Sequence, residues 1–185
     1  MSALARKPES SDPIEIEITK MRRRHLRKVL SIEARVYPRP WSASLFLSEL
    51  AQRSTRSYIV AKHQGDVAGY AGMMFIGKEA HVTNIAVDPD WHGRKVGTRL
   101  LLTLVTEAIA RGAEILSLEV RVSNDIAQSM YEKFGFSPVN IRKGYYIETN
   151  EDALVMIADN VATTEYRLLL GRIRRELDDA MGNRS

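Results

Sequence analysis

Ile14, Ile16 and Ile18 alternate with Glu15, Glu17 and Thr19, the period-two pattern of a half-buried strand. From residue 20 the spacing changes. Met21, Leu26, Val29, Leu30 and Ile32 form the buried stripe of a helix that Pro38 and Pro40 stop near residue 36. Ser42 is a suitable N-cap for a second helix over 42–52. SYIVAKH and DVAGYAGMMFI pair as a hairpin about Gln64, Gly65 and Asp66, and AHVTNIAVDP adds a strand ended by Pro89. Helical spacing returns over 98–111 in Leu101, Leu104, Val105, Ala108 and Ile109, with Gly112 as the stop. In ILSLEVRV, Leu116, Leu118, Val120 and Val122 share one face, and Ser117, Glu119 and Arg121 the other. Asn124 and Asp125 cap a helix over 125–134 whose apolar positions are Ile126, Met130 and Phe134, and Gly135 ends it. SPVNIRKGYYI and EDALVMIAD supply the last two strands.

The order βααβββαβαββ implies an α/β chain, more closely an α+β mixed sheet, with helices on both faces. Residues 1–13 read as a disordered leader and 14–159 as one domain. Beyond it, 160–185 form an amphipathic helical extension in which Tyr166, Leu169, Leu170, Ile173 and Leu177 share a stripe. The expectation is that this helix packs on its own domain, with partner binding as the alternative.

Composition narrows the chemistry. The chain has 185 residues, 44% apolar and 27% charged, as a single globular domain does. No apolar run approaches the roughly 20 residues of a membrane span, and the leader lacks the apolar core of a secretory signal, so a cytoplasmic protein is expected. The absence of cysteine excludes disulfides, thiol nucleophiles and thiolate metal sites. His25, His63, His81 and His92 form no close-spaced ligand pair, so no metal is expected. A net charge of +4 suits an anionic ligand. The basic run over 21–28 reads as the solvated face of a helix. Nucleic acid is not expected there, because no aromatic platform accompanies the run.

Two features suggest function. Glu119 stands in mid-strand, where glutamate is depleted; the bland alternative is an ion pair with Arg121 or Lys133. The stretch NIAVDPDWHGRKVGTRLL takes a strand through a loop with Gly93 and Gly97 into a helix. Free N–H groups and the positive helix end make such a terminus an anion site, and Arg94, Lys95 and Arg99 add charge. The spacing fits neither GxxxxGK[ST] nor GxGxxG, which disfavours a nucleoside triphosphatase or an ordinary dinucleotide dehydrogenase.

The element order, this loop and the segments around Glu119 and Tyr131 resemble the GNAT acetyltransferase superfamily. Its loop, Gln/Arg-x-x-Gly-x-Gly/Ala, binds the pyrophosphate of acetyl-CoA. Here the loop reads His92-Gly93-Arg94-Lys95-Val96-Gly97, with His92 in place of Gln or Arg and Lys95 in place of the first motif glycine. Lysine would be penalised at a position of positive φ. The expectation is that Lys95 avoids that region and turns its N–H and its ammonium to the phosphates. NIAVDPDW, LEVRVSN, MYEKFGF, the late GYY and EDALVM, and the early PWS narrow the resemblance to the RimI-type branch, the protein N-terminal alanine acetyltransferases, over roughly residues 14–159.

That branch acts on the amino terminus of a ribosomal protein, with acetyl-CoA as co-substrate and no metal. The resemblance implies a GNAT acyl-CoA N-acyltransferase fold with splayed central strands, here with an extra C-terminal helix. It makes Glu119 the proton acceptor and Tyr131 the proton donor. Ile85, Ala86 and Val87 offer backbone groups to the pantetheine, while Gly93, Arg94, Lys95, Val96, Gly97 and Thr98 hold the pyrophosphate. Asn124 adds a cofactor contact to its capping role. Trp41 and Tyr146 line the substrate end, and Tyr145 is expected to be a packing residue. A base is needed because an α-amine with a pKa of about 7.7–8.0 must lose a proton before attack. Packing beside Phe134 is the plain alternative for Tyr131. A small amine or a lysine side chain as substrate, and a non-catalytic acetyl-CoA-binding module, are the alternative functions.

Overall fold

The structure, a computed structural model, describes residues 15–182. The expected leader lies outside the described residues. The elements are β1 (Glu17–Lys20), α1 (Leu26–Val36) entered through one 3-10 turn, α2 (Ala43–Ala51), β2 (Arg56–His63), β3 (Asp66–Ile76), β4 (Glu79–Val87), α3 (Val96–Ala110), β5 (Ile115–Arg121), α4 (Asp125–Lys133), β6 (Ser137–Tyr146), β7 (Glu151–Ala158) and α5 (Thr164–Gly182). One seven-stranded sheet runs β1-β2-β3-β4-β5-β7-β6. Every neighbour is antiparallel except β4 and β5. The β2–β3 hairpin turns on Gln64 at φ 49° and Gly65 at φ 90°, and positive φ at both central positions matches the twist of the strands.

The sheet separates two cores. On one face α1 and α2 bury Val29, Ile32 and Phe46 against Tyr58, Val60, Tyr70 and Ala86. Phe46 meets Tyr58 and Tyr70 edge-on, with centroids 6.4 and 5.6 Å apart. On the other face α3 buries Leu100, Leu101, Leu104 and Val105 with Leu116, Leu118 and Val120 of β5. Strand β4 supplies both cores. Val82 lies in the second and Ala86 in the first, although simple alternation would put them together. A register shift between Gly72 and Met73 makes the difference. Gly72 is required there, because a Cβ would lie 2.2 Å from Tyr58 Cε1.

Helix α5 lies on the second core, with Tyr166, Leu170, Ile173 and Leu177 buried. The Tyr166 hydroxyl donates to Phe134 O at 2.7 Å, and Arg99 donates to Leu177 O at 2.9 Å. Among the described residues no helix is long and apolar enough to cross a membrane. Because α5 covers core side chains, Ile173→Ala is expected to lower unfolding stability by about 2–4 kcal/mol. Leu168→Ala, on the exposed side of the same helix, should change it by less than about 0.5 kcal/mol. Urea midpoints of the two variants check the difference.

Candidate active site

Strands β4 and β5 pair at Glu79 with Ile115, Ala80 with Leu116 and His81 with Ser117, and then part. β4 continues to Val87 and β5 to Arg121, so a wedge opens between them. Asp88 N–H donates back to Ala68 O at 2.8 Å, toward β3. Successive residues point their backbone groups to opposite sides of a strand, so Ile85 and Val87 present theirs to the wedge. Tyr37, just past α1, donates its hydroxyl to Ile85 O at 2.9 Å. The His92 ring lies with Nε2 3.2 Å from Val87 O. The Ala86 side chain is buried in the α1–α2 core, so its place beside the wedge is a matter of backbone alone.

The loop after β4 is anchored at its start. Buried Asp88 accepts from Arg35 at 2.6 Å, lies 3.4 Å from Lys28 Nζ, and caps the turn over Pro89–Trp91 through Asp90 N at 3.1 Å. Part of the basic run therefore holds this loop. Gly93 sits at φ 75°. Lys95 does not follow expectation: it adopts φ 59°, ψ 19°, the left-handed region, as the residue before α3. The chain must reverse there to enter the helix, and that backbone demand overrides the residue's preference at about 1–2 kcal/mol. The Lys95 side chain is exposed and caps nothing. The first N–H groups of α3, at Val96, Gly97 and Thr98, thus have no side-chain cap, as an anion site requires. At Gly97 a Cβ would make only ordinary contacts, with Met130 Sδ at 3.4 Å and Val87 Cγ2 at 3.6 Å, so α3 starts beside both side chains without needing a glycine for space. Arg94 rests its guanidinium 4.9 Å from the Trp91 ring centre.

Glu119 points from β5 to the α1–α2 face and is 10% exposed. Its partners are neither Arg121 nor Lys133. His81 Nε2 lies 2.9 Å from Oε2, and Arg142 of β6 lies 3.2 Å from Oε1. The hydrogen bond from His81 holds the carboxyl below its ordinary range; burial opposes this, and the charges of His81 and Arg142 reinforce it. Arg121 is engaged elsewhere, with Glu148 at 2.7 Å, Glu151 at 3.2 Å and the Tyr146 ring 3.8 Å away.

Tyr131 is buried against Phe136, with ring centres 5.8 Å apart, and burial raises its pKa. Tyr146 stands close enough to add to that shift, and its own phenol is pushed up to about 12, chiefly by burial. Glu119 also acts on Tyr146, and both Tyr131 and Tyr146 act on Tyr37. The structure therefore brings Glu119, Tyr131 and Tyr146 into one electrostatic neighbourhood with Tyr37. Asn124 caps α4 by accepting from Ala127 N at 3.1 Å. Tyr145 is not a packing residue: it is 44% exposed, beside Arg142 and Tyr146. Trp41 packs on Phe46, and its backbone N–H donates to Glu33. His81, Arg142, Tyr37 and Ser117 were missed in the sequence. The parity of EAHV against LSLEV carries a signal for His81, once those two strands are set side by side.

The profile of the acetyltransferase (GNAT) family matches residues 26–136. The chain belongs to the GNAT acetyltransferase family. A [ribosomal protein bS18]-alanine N-acetyltransferase of Escherichia coli K12 is 39% identical over 127 residues, covering 68% of this chain and 84% of that protein. The N-alpha-acetyltransferase RimI of Mycobacterium tuberculosis is 34% identical over 157 residues, covering 82% of this chain and 97% of its own. The crystal structure of the E. coli ribosomal-protein-S18-alanine N-acetyltransferase superposes with a TM-score of 0.72 at 34% identity, over 79% of this chain and 94% of that one. The mixed sheet with its β4–β5 wedge is accordingly the GNAT fold, and GNAT enzymes draw the acetyl group from acetyl-CoA.

Two stability outcomes follow from this geometry. Lys95→Gly is expected to stabilise the protein by about 1 kcal/mol, read as a higher urea midpoint, because glycine is at ease at positive φ. The lowered Glu119 pKa adds stability above the unfolded carboxyl value of about 4.3 and loses it as pH falls through the folded value. The stability gap between wild type and Glu119→Gln should therefore be widest above about pH 5 and narrow toward pH 3 in pH-dependent denaturant melts.

Proposed function

We propose that this GNAT enzyme acetylates the α-amine of a protein N-terminus, with N-terminal alanine of a ribosomal protein as the preferred substrate. The observation that carries the reading is Glu119, held between His81 and Arg142 beside the β4–β5 wedge, with Tyr131 and Tyr146 close by. The relatives named for bS18 alanine N-acetylation support the choice of substrate.

The residues present fit acetyl-CoA as co-substrate. The uncapped start of α3, with Gly93, Arg94, Lys95, Val96, Gly97 and Thr98, suits the pyrophosphate. The free edge of β4 at Ile85 and Val87 suits the amides of an extended arm, and Asn124, the cap of α4, is the further cofactor contact in this reading. Bound there, acetyl-CoA would supply the activated acyl group.

Glu119 takes a proton from the substrate ammonium, and the neutral amine attacks the thioester carbonyl. Backbone N–H groups near Val87 stabilise the oxyanion. Burial raises the Tyr131 pKa and keeps its hydroxyl protonated, and in this reading that hydroxyl is the donor to the departing thiolate. Tyr146 and Trp41 line the path of the incoming peptide. With one enzyme base and one enzyme acid, no covalent intermediate on the protein is needed.

The test is a mass-spectrometric transfer assay with acetyl-CoA and peptides that begin with Ala, Ser or Met. Each is also supplied with a blocked N-terminus and an internal lysine. One acetyl group on free Ala peptides alone supports the reading. Acetylation that survives blocking would reassign the substrate to a lysine side chain. Binding of acetyl-CoA without transfer to any amine would leave a binding module instead. Glu119→Gln is expected to lower kcat by about 10²–10⁴-fold while acetyl-CoA affinity holds. Tyr131→Phe should fall in the same range.

A further inference from the structure

Positive charge gathers at a second place, away from the start of α3. Strand β1 ends at Lys20, opposite Ile59, and Met21 N–H still reaches Tyr58 O. Past that point the edge of β2 at Arg56 and Ser57 has no strand beside it. A cavity of about 850 Å³ lies there, bounded by the turn that enters α1, the end of α2 and the end of α3. That volume is in the range of a small-molecule site. Buried Met21 and Tyr58, with half-buried Leu47 and Leu50, give it an apolar floor.

The rim is cationic. Lys20, Arg22, Arg23 and Arg24 come from one stretch of chain. Arg53 and Arg56 join them from the start of β2, and Arg111 from the end of α3. Two carboxylates, Glu49 and Glu107, line the same cavity, and both are already engaged. Glu49 accepts from Arg56 and from the Tyr58 hydroxyl, each at 2.8 Å. Glu107 accepts from Ser57 at 2.7 Å and from Arg111 at 3.5 Å. The carboxyl ends of α2 and α3 add about half a negative charge each, which Arg53 and Arg111 answer. Nothing of that kind answers Lys20, Arg22 and Arg23. They are exposed, and among the described residues no carboxylate pairs with them. Lys62, one strand over, does have such a partner, Glu17 at 3.0 Å. Arg24 donates only to the His25 ring, at 3.3 Å. The pKa of buried His25 is lowered first by burial and then by the charges of Arg24, Lys62 and Arg22.

Like charges held together without counter-charge repel one another, and a multivalent anion relieves the repulsion. Guanidinium groups match the oxygens of phosphate. An apolar floor beneath them suits a ligand whose phosphates are joined to a ring.

We propose that this cavity binds a nucleoside di- or triphosphate, with its phosphates against Arg22, Arg23 and Arg53 and its base over Met21, Leu47 and Leu50. The site is distinct from the one at the start of α3. The cavity meets α3 at its other end, and 15 residues at 1.5 Å each set the two ends roughly 20 Å apart.

Calorimetric titration with ATP tests this, with acetyl-CoA held saturating so that the start of α3 is filled. One ATP per chain is expected. Arg22→Gln, Arg23→Gln and Arg53→Gln should each weaken ATP binding about tenfold, the usual cost of one charge-assisted contact. Lys133→Gln, which removes an exposed cation from α4, should stay within about twofold. The three arginines pair with no carboxylate, so their urea midpoints should hold or rise, which separates lost binding from lost folding. Tripolyphosphate should bind more weakly than ATP, and equal affinity would overturn the place given to the base. ATP binding that disappears once acetyl-CoA is saturating would overturn the proposal, because the nucleotide would only have borrowed the start of α3. So would affinity indifferent to all three arginine variants, or no binding of ATP at all. Binding of single-stranded oligouridylate without binding of ATP would give the surface to an RNA chain and overturn it equally.

Discussion

The parallel register of β4 on β5 ends at His81 and Ser117, and the rest of the site depends on that ending. A strand edge left bare inside a protein carries unmet N–H and C=O groups, which must find partners. Here the free edge of β4 meets the Tyr37 hydroxyl at Ile85 O and the His92 ring at Val87 O. Full pairing of β4 with β5 would close the wedge and leave no backbone for a ligand to read. No pairing at all would lose the ladder that sets His81 against Ser117 and carries Glu119 one step beyond. The short overlap does both jobs.

Two glutamates show how environment drives carboxylates in opposite directions. Glu33 is buried in the α1–α2 core, where desolvation raises its pKa; the Tyr70 hydroxyl and Trp41 N–H donate to it. Its work is to fix the connection that delivers Trp41 and α2. Glu119 is shifted the other way by His81 and Arg142. These two partners keep it ionised and oriented. Arg142 is 54% exposed, so water screens its effect. His81 is the more sheltered partner.

The elements themselves were legible, because each depends on spacing that the chain carries locally. The Gln64–Gly65 turn, the α3 stripe and the alternation of β5 all follow from neighbours in sequence. The partner of Glu119 did not, since it is set by the register of two parallel strands joined through a whole helix. The expectation that Tyr145 is a packing residue failed for a related reason. β6 pairs with β7 irregularly between Arg142 and Tyr146, so counting alternate residues does not tell which ring turns inward. Lys95 failed in the opposite sense. Its side chain argues against a left-handed backbone, but the entry to α3 imposes one whatever residue stands there.

The last turn of α1 explains why these separate features form one site. Glu33, Arg35 and Tyr37 are alternate residues at the end of one helix. Glu33 holds the Trp41 backbone, Arg35 holds Asp88 at the start of the loop that leads to α3, and Tyr37 holds the open edge of β4. Three anchors from one helix end therefore tie the α1–α2 connection, the loop and the wedge to the same stretch of chain. The basic character of α1 therefore has a structural use that composition alone conceals. Arg35 and Lys28 neutralise a carboxylate buried at the mouth of the loop. An unpaired Asp88 would leave a buried, uncompensated negative charge at the end of β4. The loop that leads to α3 thus depends on a helix from the opposite face of the sheet.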